Sequence, residues 1–223
     1  MHIGLIGGIG PAATDFYYRR LISTLGAKDV AFDITIAHAN APTSLQNITE
    51  NNVDEQLAVY TRLTDRLAVA GAEMVVVTSI AGHFCIEPFK EVSSLPVINM
   101  IEETNKQVAN MGFDKIGILG TRTVMESRFY GGITSAEIIP PQGDQLDQVH
   151  KAYVTMAASG EVNDQQRGVF AEACEMLLEG QGAEAIMLGG TDLTLVYDQN
   201  HVEFPVIDCA AIHCDAVVEF GSR

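Results

Sequence analysis

A glycine-rich turn, a set of matched hydroxyls, one histidine and one aspartate carry the chemistry this chain could do. Gly8-Ile9-Gly10-Pro11-Ala12-Ala13 satisfies a GxGxxA pattern between a strand-like run and a helix-like one. Such a turn presents backbone N–H groups at a helix N-terminus, where they bind anions, and Pro11 suits a first helical turn. A dinucleotide would also need an acidic residue at the end of the second strand for its ribose hydroxyls. That place holds His38 and Asn40, while Asp33 opens the strand instead of closing it. The turn therefore reads as a grip for a small carboxylate, with Gly8, Gly10 and the Thr14 hydroxyl as contacts. Asn40, in the next loop, joins them. Thr121 and Thr123 add hydroxyl donors in a second turn at a matching place. His83 could serve as acid or base, or could cap a helix or pack a hinge. Asp192 could take a proton, or cap the helix that follows it.

These residues recur because the chain repeats itself. His2–Tyr17, HIGLIGGIGPAATDFY, aligns with Lys115–Tyr130, KIGILGTRTVMESRFY, about half the chain further on. Gly71–Ser79, GAEMVVVTS, aligns with Gly182–Gly190, GAEAIMLGG, and Leu95–Asn99, LPVIN, with Phe204–Asp208, FPVID. A tandem duplication explains all three matches. It predicts two α/β lobes related by an approximate two-fold axis, each with a mainly parallel four-stranded sheet flanked by helices. Short apolar runs alternating with helical patterns support the parallel sheets. The expected strands are 2–7, 32–38, 73–79 and 95–99 in the first copy, and 115–119, 135–140, 183–188 and 204–207 in the second. Val53, Leu57, Tyr60, Leu63 and Leu67 form a helical stripe, with Asn52 and Glu55 spaced as a capping box. Asn163 and Gln166 repeat that box. In parallel sheets the loops past the carboxyl ends of strands carry function, which selects the loops holding Gly8–Thr14, Asn40, Ser79–His83, Thr121–Thr123 and Gly190–Asp192.

Bulk properties exclude several classes. The net charge of −16 opposes binding to nucleic acid, whose phosphates it would repel. No apolar run approaches the ~18 residues of a membrane span, and no signal-peptide pattern opens the chain, so a cytoplasmic protein is expected. The four cysteines fit no metal-ligand spacing, and no metal is expected. Cys174 shares a helical stripe with Phe170, Leu177 and Leu178 and reads as a buried thiol. Cys209, just past a strand end, is either a displaced reactive thiol or a buried one.

GLIGGIGPAAT followed by FYY, ILGTRTVMESRFY, LGGTD and PVIDCAAIHCDAVVEF together resemble the aspartate/glutamate racemase family, over essentially the whole chain and in the family's order. The resemblance implies two pseudo-symmetric lobes, here 1–99 plus 208–223 and 100–207, with a site between them. It also implies no cofactor, a small carboxylate or amino acid as ligand, and a homodimer. The family's racemases place a cysteine at the end of strand three in each lobe, one thiolate removing the α-proton and the other thiol reprotonating the opposite face. At those places this chain has Ser79 and Gly190. A serine hydroxyl needs a base of its own, and glycine offers no side chain. Ile80 stands where the family grips substrate with asparagine, and no basic residue occurs near Thr43–Ser44, where an arginine is common. Gly8, Gly10, Pro11, Thr14, His83, Thr121, Thr191, Asp208 and His213 are retained.

The expected catalytic set is thus Ser79, His83 and Asp192. The expected contacts are Gly8, Gly10, Thr14, Asn40, Ile80, Thr121, Thr123, Gly190 and Thr191. Two classes of function fit: an isomerase or racemase-like enzyme with altered proton-transfer residues, or a lyase-like relative, on one side; a catalytically silent small-acid binder on the other.

Overall fold

Branched apolar runs become parallel strands whose neighbours cover both faces. In the first unit β1 (His2–Gly7) lies between β2 (Asp33–His38) and β3 (Met74–Val77), parallel to both. The chain passes through α1 (Pro11–Ala27) between β1 and β2, and through α2 (Ala41–Thr49) and α3 (Val53–Val69) between β2 and β3. A 3₁₀ turn (Ala81–Cys85) and α4 (Ile86–Val92) follow, then α5 (Met100–Met111). In the second unit β4 (Lys115–Gly120) lies between β5 (Glu137–Ile139) and β6 (Ala185–Gly189), and β7 (Val206–Asp208) extends the sheet beside β6, all parallel. Its helices are α6 (Arg122–Glu126), α7 (Asp144–Ser159) and α8 (Asp164–Glu175), with a 3₁₀ turn (Thr191–Leu195) after β6. The last helix, α9 (Cys209–Phe220), leads the chain back into the first unit.

The computed structural model describes residues 1–197 and 202–221. By contact the chain divides into Met1–Met100 with Ala210–Arg223, and Ile101–Cys209. Central strands are the driest elements, as parallel strands covered on both faces must be: Ile3, Leu5, Ile116, Ile118 and Leu119 expose none of their surface. Among the described residues no helix is long and apolar enough to cross a membrane.

The duplication is visible in both sheets, with one correction. The expected fourth strand of the first unit, residues 95–99, is reduced to a single bridge between Val75 and Val97. Val75 N–H still donates to Pro96 O at 2.9 Å and Ile98 N–H to Val75 O at 3.3 Å. Ile186 N–H repeats the first of these to Pro205 O, and there β7 continues for three residues. Proline has no N–H to lengthen either ladder at its own position.

The capping boxes diverge as well. Asn163 accepts from Gln166 N–H at 2.9 Å while Gln166 Oε1 accepts from Asn163 N–H at 2.9 Å, a complete box. Asn52 makes no such cap, because its side chain donates to Glu50 Oε2 at 3.1 Å instead. The left-handed Asn51 (φ 52°) folds that turn back on itself. Asn52 consequently has ψ 78°, where Asn163 has the extended ψ of 169° from which a cap reaches its helix.

Candidate functional site

In the first unit the turn after β1 is shaped by what glycine lacks. Gly8 has φ +113°, and a Cβ there would lie 2.4 Å from Ala39 O, so no other residue fits. A Cβ on Gly7 would lie 2.5 Å from Thr14 Oγ1, which brings α1 tight against the strand end. Gly10 supplies no side-chain cap to α1, leaving that helix's first turn to be met by something other than its own N-cap residue. Thr14 Oγ1 lies 3.3 Å from Thr78 Oγ1, and Thr78 donates to Ile6 O. Asn40 caps α2, accepting from Thr43 N–H at 3.0 Å and from the Thr43 hydroxyl at 2.9 Å.

The loop after β3 holds Ser79, Ile80 and His83. Ser79 is 8% exposed, and its Oγ accepts from Gly82 N–H at 3.4 Å. Ile80 and His83 are buried. His83 Nδ1 faces Ser79 O at 2.7 Å, and a carbonyl can only accept, so Nδ1 carries the proton. Nε2 then accepts from Met100 N–H at 3.4 Å. Both ring nitrogens are committed to backbone, and burial lowers the imidazole to a pKa of about 4. A second buried imidazole, His213, packs edge-on against it with ring centroids 5.7 Å apart. His213 Nε2 donates to Ile98 O at 2.8 Å and Nδ1 accepts from the Tyr17 hydroxyl at 2.8 Å. Burial first, and then the His83 charge, lowers His213 to about 3. The pair behaves as neutral cross-links that fix the Ser79 carbonyl and the start of α5. Neither ring offers a nitrogen for proton transfer.

In the second unit Thr121 caps α6, accepting from Val124 N–H, while Thr123 is exposed. Arg122 N–H donates to His150 Nδ1 at 3.1 Å, and the Arg122 guanidinium pairs with Glu126 and Asp147. Past β6, Gly190, Thr191 and Asp192 are all buried. Gly190, not Asp192, is the N-cap residue of the turn that holds them. Asp192 accepts from the Tyr153 hydroxyl at 2.9 Å, and burial together with the Asp192 charge raises that phenol well above its ordinary value.

Tyr153 had no signal in the sequence. It sits on α7 in a row with Leu146, Val149 and Met156 that reads as ordinary core. The four cysteines are all buried. Burial raises Cys85 to about 12 and Cys174 to about 11 and pushes Cys209 up further still, so none of these three is a ready nucleophile at neutral pH. Among the described residues no group of three or more His, Cys, Asp or Glu side chains could hold a metal ion.

Two copies of a parallel α/β unit, the first with a glycine turn after its first strand and both with a buried polar loop after their third, define a duplicated scaffold. Residues 6–217 match the Asp/Glu/Hydantoin racemase family, and the chain belongs to that family of isomerases. It is 22% identical over 222 residues to the broad specificity amino-acid racemase RacX of Bacillus subtilis (strain 168), covering 94% of this chain and 93% of that one. A crystal structure from Yersinia pestis classed with the Asp/Glu racemases superposes with a TM-score of 0.84 at 26% identity, over 100% of this chain and 99% of the other. An aspartate racemase homologue from Pyrococcus horikoshii OT3 shares the fold at a TM-score of 0.80 and 24% identity, with the same coverage.

Proposed function

We propose that the strand-end loops of the two units serve one small carboxylate or amino acid, and that the chain is a cofactor-independent isomerase with altered proton-transfer residues, acting in the cytoplasm as a homodimer. Gly8, Gly10 and Thr14 with Thr121 and Thr123 supply the amide and hydroxyl donors for the carboxylate. Ser79 and Asp192 stand in the loops where proton transfer is expected. His83 is a positioning residue in this reading, because its nitrogens are spent on Ser79 O and Met100 N–H.

One observation carries the enzymatic reading above the binding one. Asp192 is a carboxylate only 2% exposed, in a strand-end loop, joined to a buried hydroxyl. Burying such a group is costly, and ionisable groups in desolvated strand-end loops are where acid–base chemistry is found. One observation favours the binder: the neighbouring His83 cannot activate Ser79. Exchange of the ligand α-proton for deuterium separates the two. We expect NMR over a panel of amino and hydroxy acids in D₂O to show exchange for at least one. A ligand that binds without exchange, across the whole panel, refutes the isomerase and leaves the binder.

A further inference from the structure

Helix α6 is held in place from outside. At five residues it is far short of the ~12–15 at which a helix begins to stand alone. It cannot lengthen either, because Arg128, Phe129, Tyr130 and Gly131 follow at positive φ (52°, 58°, 58° and 65°). Its first residue is gripped twice by α7. The Arg122 amide donates to His150 Nδ1 at 3.1 Å, and the Arg122 guanidinium pairs with Asp147, one turn earlier. One turn later on the same side of α7, Tyr153 donates to Asp192 and packs its ring on Gly190. Residues 147, 150 and 153 of one helix thus reach the turn after β4 and the loop after β6. In the first unit the matching turn needs no such tether, because α1 runs for 17 residues and buries Ala13, Tyr17, Leu21 and Leu25. Thr121 Oγ1 accepts from Val124 N–H, which leaves its hydroxyl proton to donate, and Thr123 is exposed two residues on.

We infer that His150 is a positioning residue: through the Arg122 amide it sets the Thr121 and Thr123 hydroxyls in register with Asp192 for a carboxylate, and this rests on the reading above. His150 touches no ligand in this role. It supplies an acceptor fixed to α7, and only the neutral ring supplies it. With Nδ1 accepting, that ring carries its proton on Nε2. Protonation would set a second N–H against the Arg122 N–H, donor facing donor, and release the turn. The surroundings of this half-buried ring keep it neutral. Burial first, and then the Arg122 charge, lowers its pKa below the ordinary 6.5, against a smaller opposite pull from Glu126. The other carboxylates on this side of α7 face elsewhere, Asp147 to Arg122 and Asp192 to Tyr153.

Wild type is compared with His150→Asn, whose amide oxygen can accept from the same N–H without titrating, and with His150→Leu, which offers no acceptor. Binding of glycine, L-alanine, D-alanine, L-aspartate, L-glutamate and L-lactate is titrated by ¹H–¹⁵N NMR. For each acid that wild type binds, we expect His150→Leu to lose about 10-fold or more in affinity and His150→Asn to stay within about three-fold. Wild-type affinity should fall over the pH range in which the His150 ring signals titrate, while that of the Asn variant stays level there. A Leu variant that binds like wild type overturns the positioning role and leaves the carboxylate reading standing. So does an Asn variant that keeps the wild-type pH dependence. An Asn variant as weak as Leu overturns it too, since the ring itself would then be the contact. Should the Leu variant fail to fold, the pH profile of the Asn variant decides alone. Wild type that binds none of these acids removes the carboxylate reading and the role of His150 with it.

Discussion

Gly190→Ala tests the interlock between β6 and α7 at its tightest point. The added methyl would lie 2.2 Å from Tyr153 Cε2, where ordinary contacts begin near 3.4 Å, so the ring must retreat by more than an ångström. Tyr153 is nearly buried on a helix face whose neighbours Val149 and Met156 are fully buried, which leaves it little room. Overpacking of this kind costs about 1–3 kcal/mol. A ring that retreats also lengthens its hydrogen bond to the Asp192 carboxylate, a class of bond worth about 1.5–3 kcal/mol. The expected loss is about 4 kcal/mol, a large share of an ordinary domain's stability. Urea denaturation followed by circular dichroism reads it. The control is the same change in a Tyr153→Ala background, where the obstruction is gone and the loss should fall below about 1 kcal/mol. If Gly190→Ala is neutral, or equally damaging in both backgrounds, the phenol is not what keeps position 190 bare. The same geometry governs any attempt to install thiols. Ser79→Cys with Gly190→Cys should yield no racemisation until Tyr153→Ala is added.

Two further outcomes follow from buried groups and caps. His83 and His213 have folded pKa values of about 4 and about 3, below the ordinary 6.5, so the unfolded chain takes up protons that the folded chain refuses. Stability is whole above about pH 6.5 and falls as pH drops toward 4, by roughly 3 kcal/mol for His83 alone. Urea midpoints at pH 7 and pH 4.5 should show this, and the difference should shrink in His83→Asn; an unchanged difference refutes the assignment. Asn163→Ala should cost about 1 kcal/mol by opening a complete capping box, whereas Asn52→Ala should cost only a few tenths. Equal losses in urea denaturation would show that the two helix starts do not differ as described.

Much of the fold was legible because duplication doubles every signal. The apolar run of β1 is repeated in β4, and GAE announces β3 and β6 alike. What failed was detail set by single backbone angles. Asn51 in the left-handed region diverts the Asn52 side chain to Glu50, and no spacing rule shows that. The fourth strand of the first unit shrank to a bridge because how far a ladder runs past a proline depends on tertiary placement. The strand-end residues were legible as positions and not as chemistry. Position 83 reads as a candidate base until its two hydrogen bonds to backbone groups are seen, and both come from the fold.

Tyr153 shows why a close contact can hide from residue-by-residue reading. A bare glycine at a strand end reads as a loss, and a tyrosine in a helical stripe reads as packing. Each reading is sound alone, and together they mislead, because the two residues share one volume. Packing density forbids leaving a side chain's space empty in a buried loop, so a vacancy at 190 has to be matched by growth somewhere on a facing element. Tyr153 in the second copy is that growth, and it brings a hydroxyl with it. If the two residues are linked in this way, exchanging them should be tolerated better than changing either. Gly190→Ser with Tyr153→Ala, which returns a small hydroxyl to the strand end as in the first copy, should therefore be more stable than the sum of its single losses predicts. Plain additivity in the double-mutant cycle would mean the shared volume carries no energetic coupling.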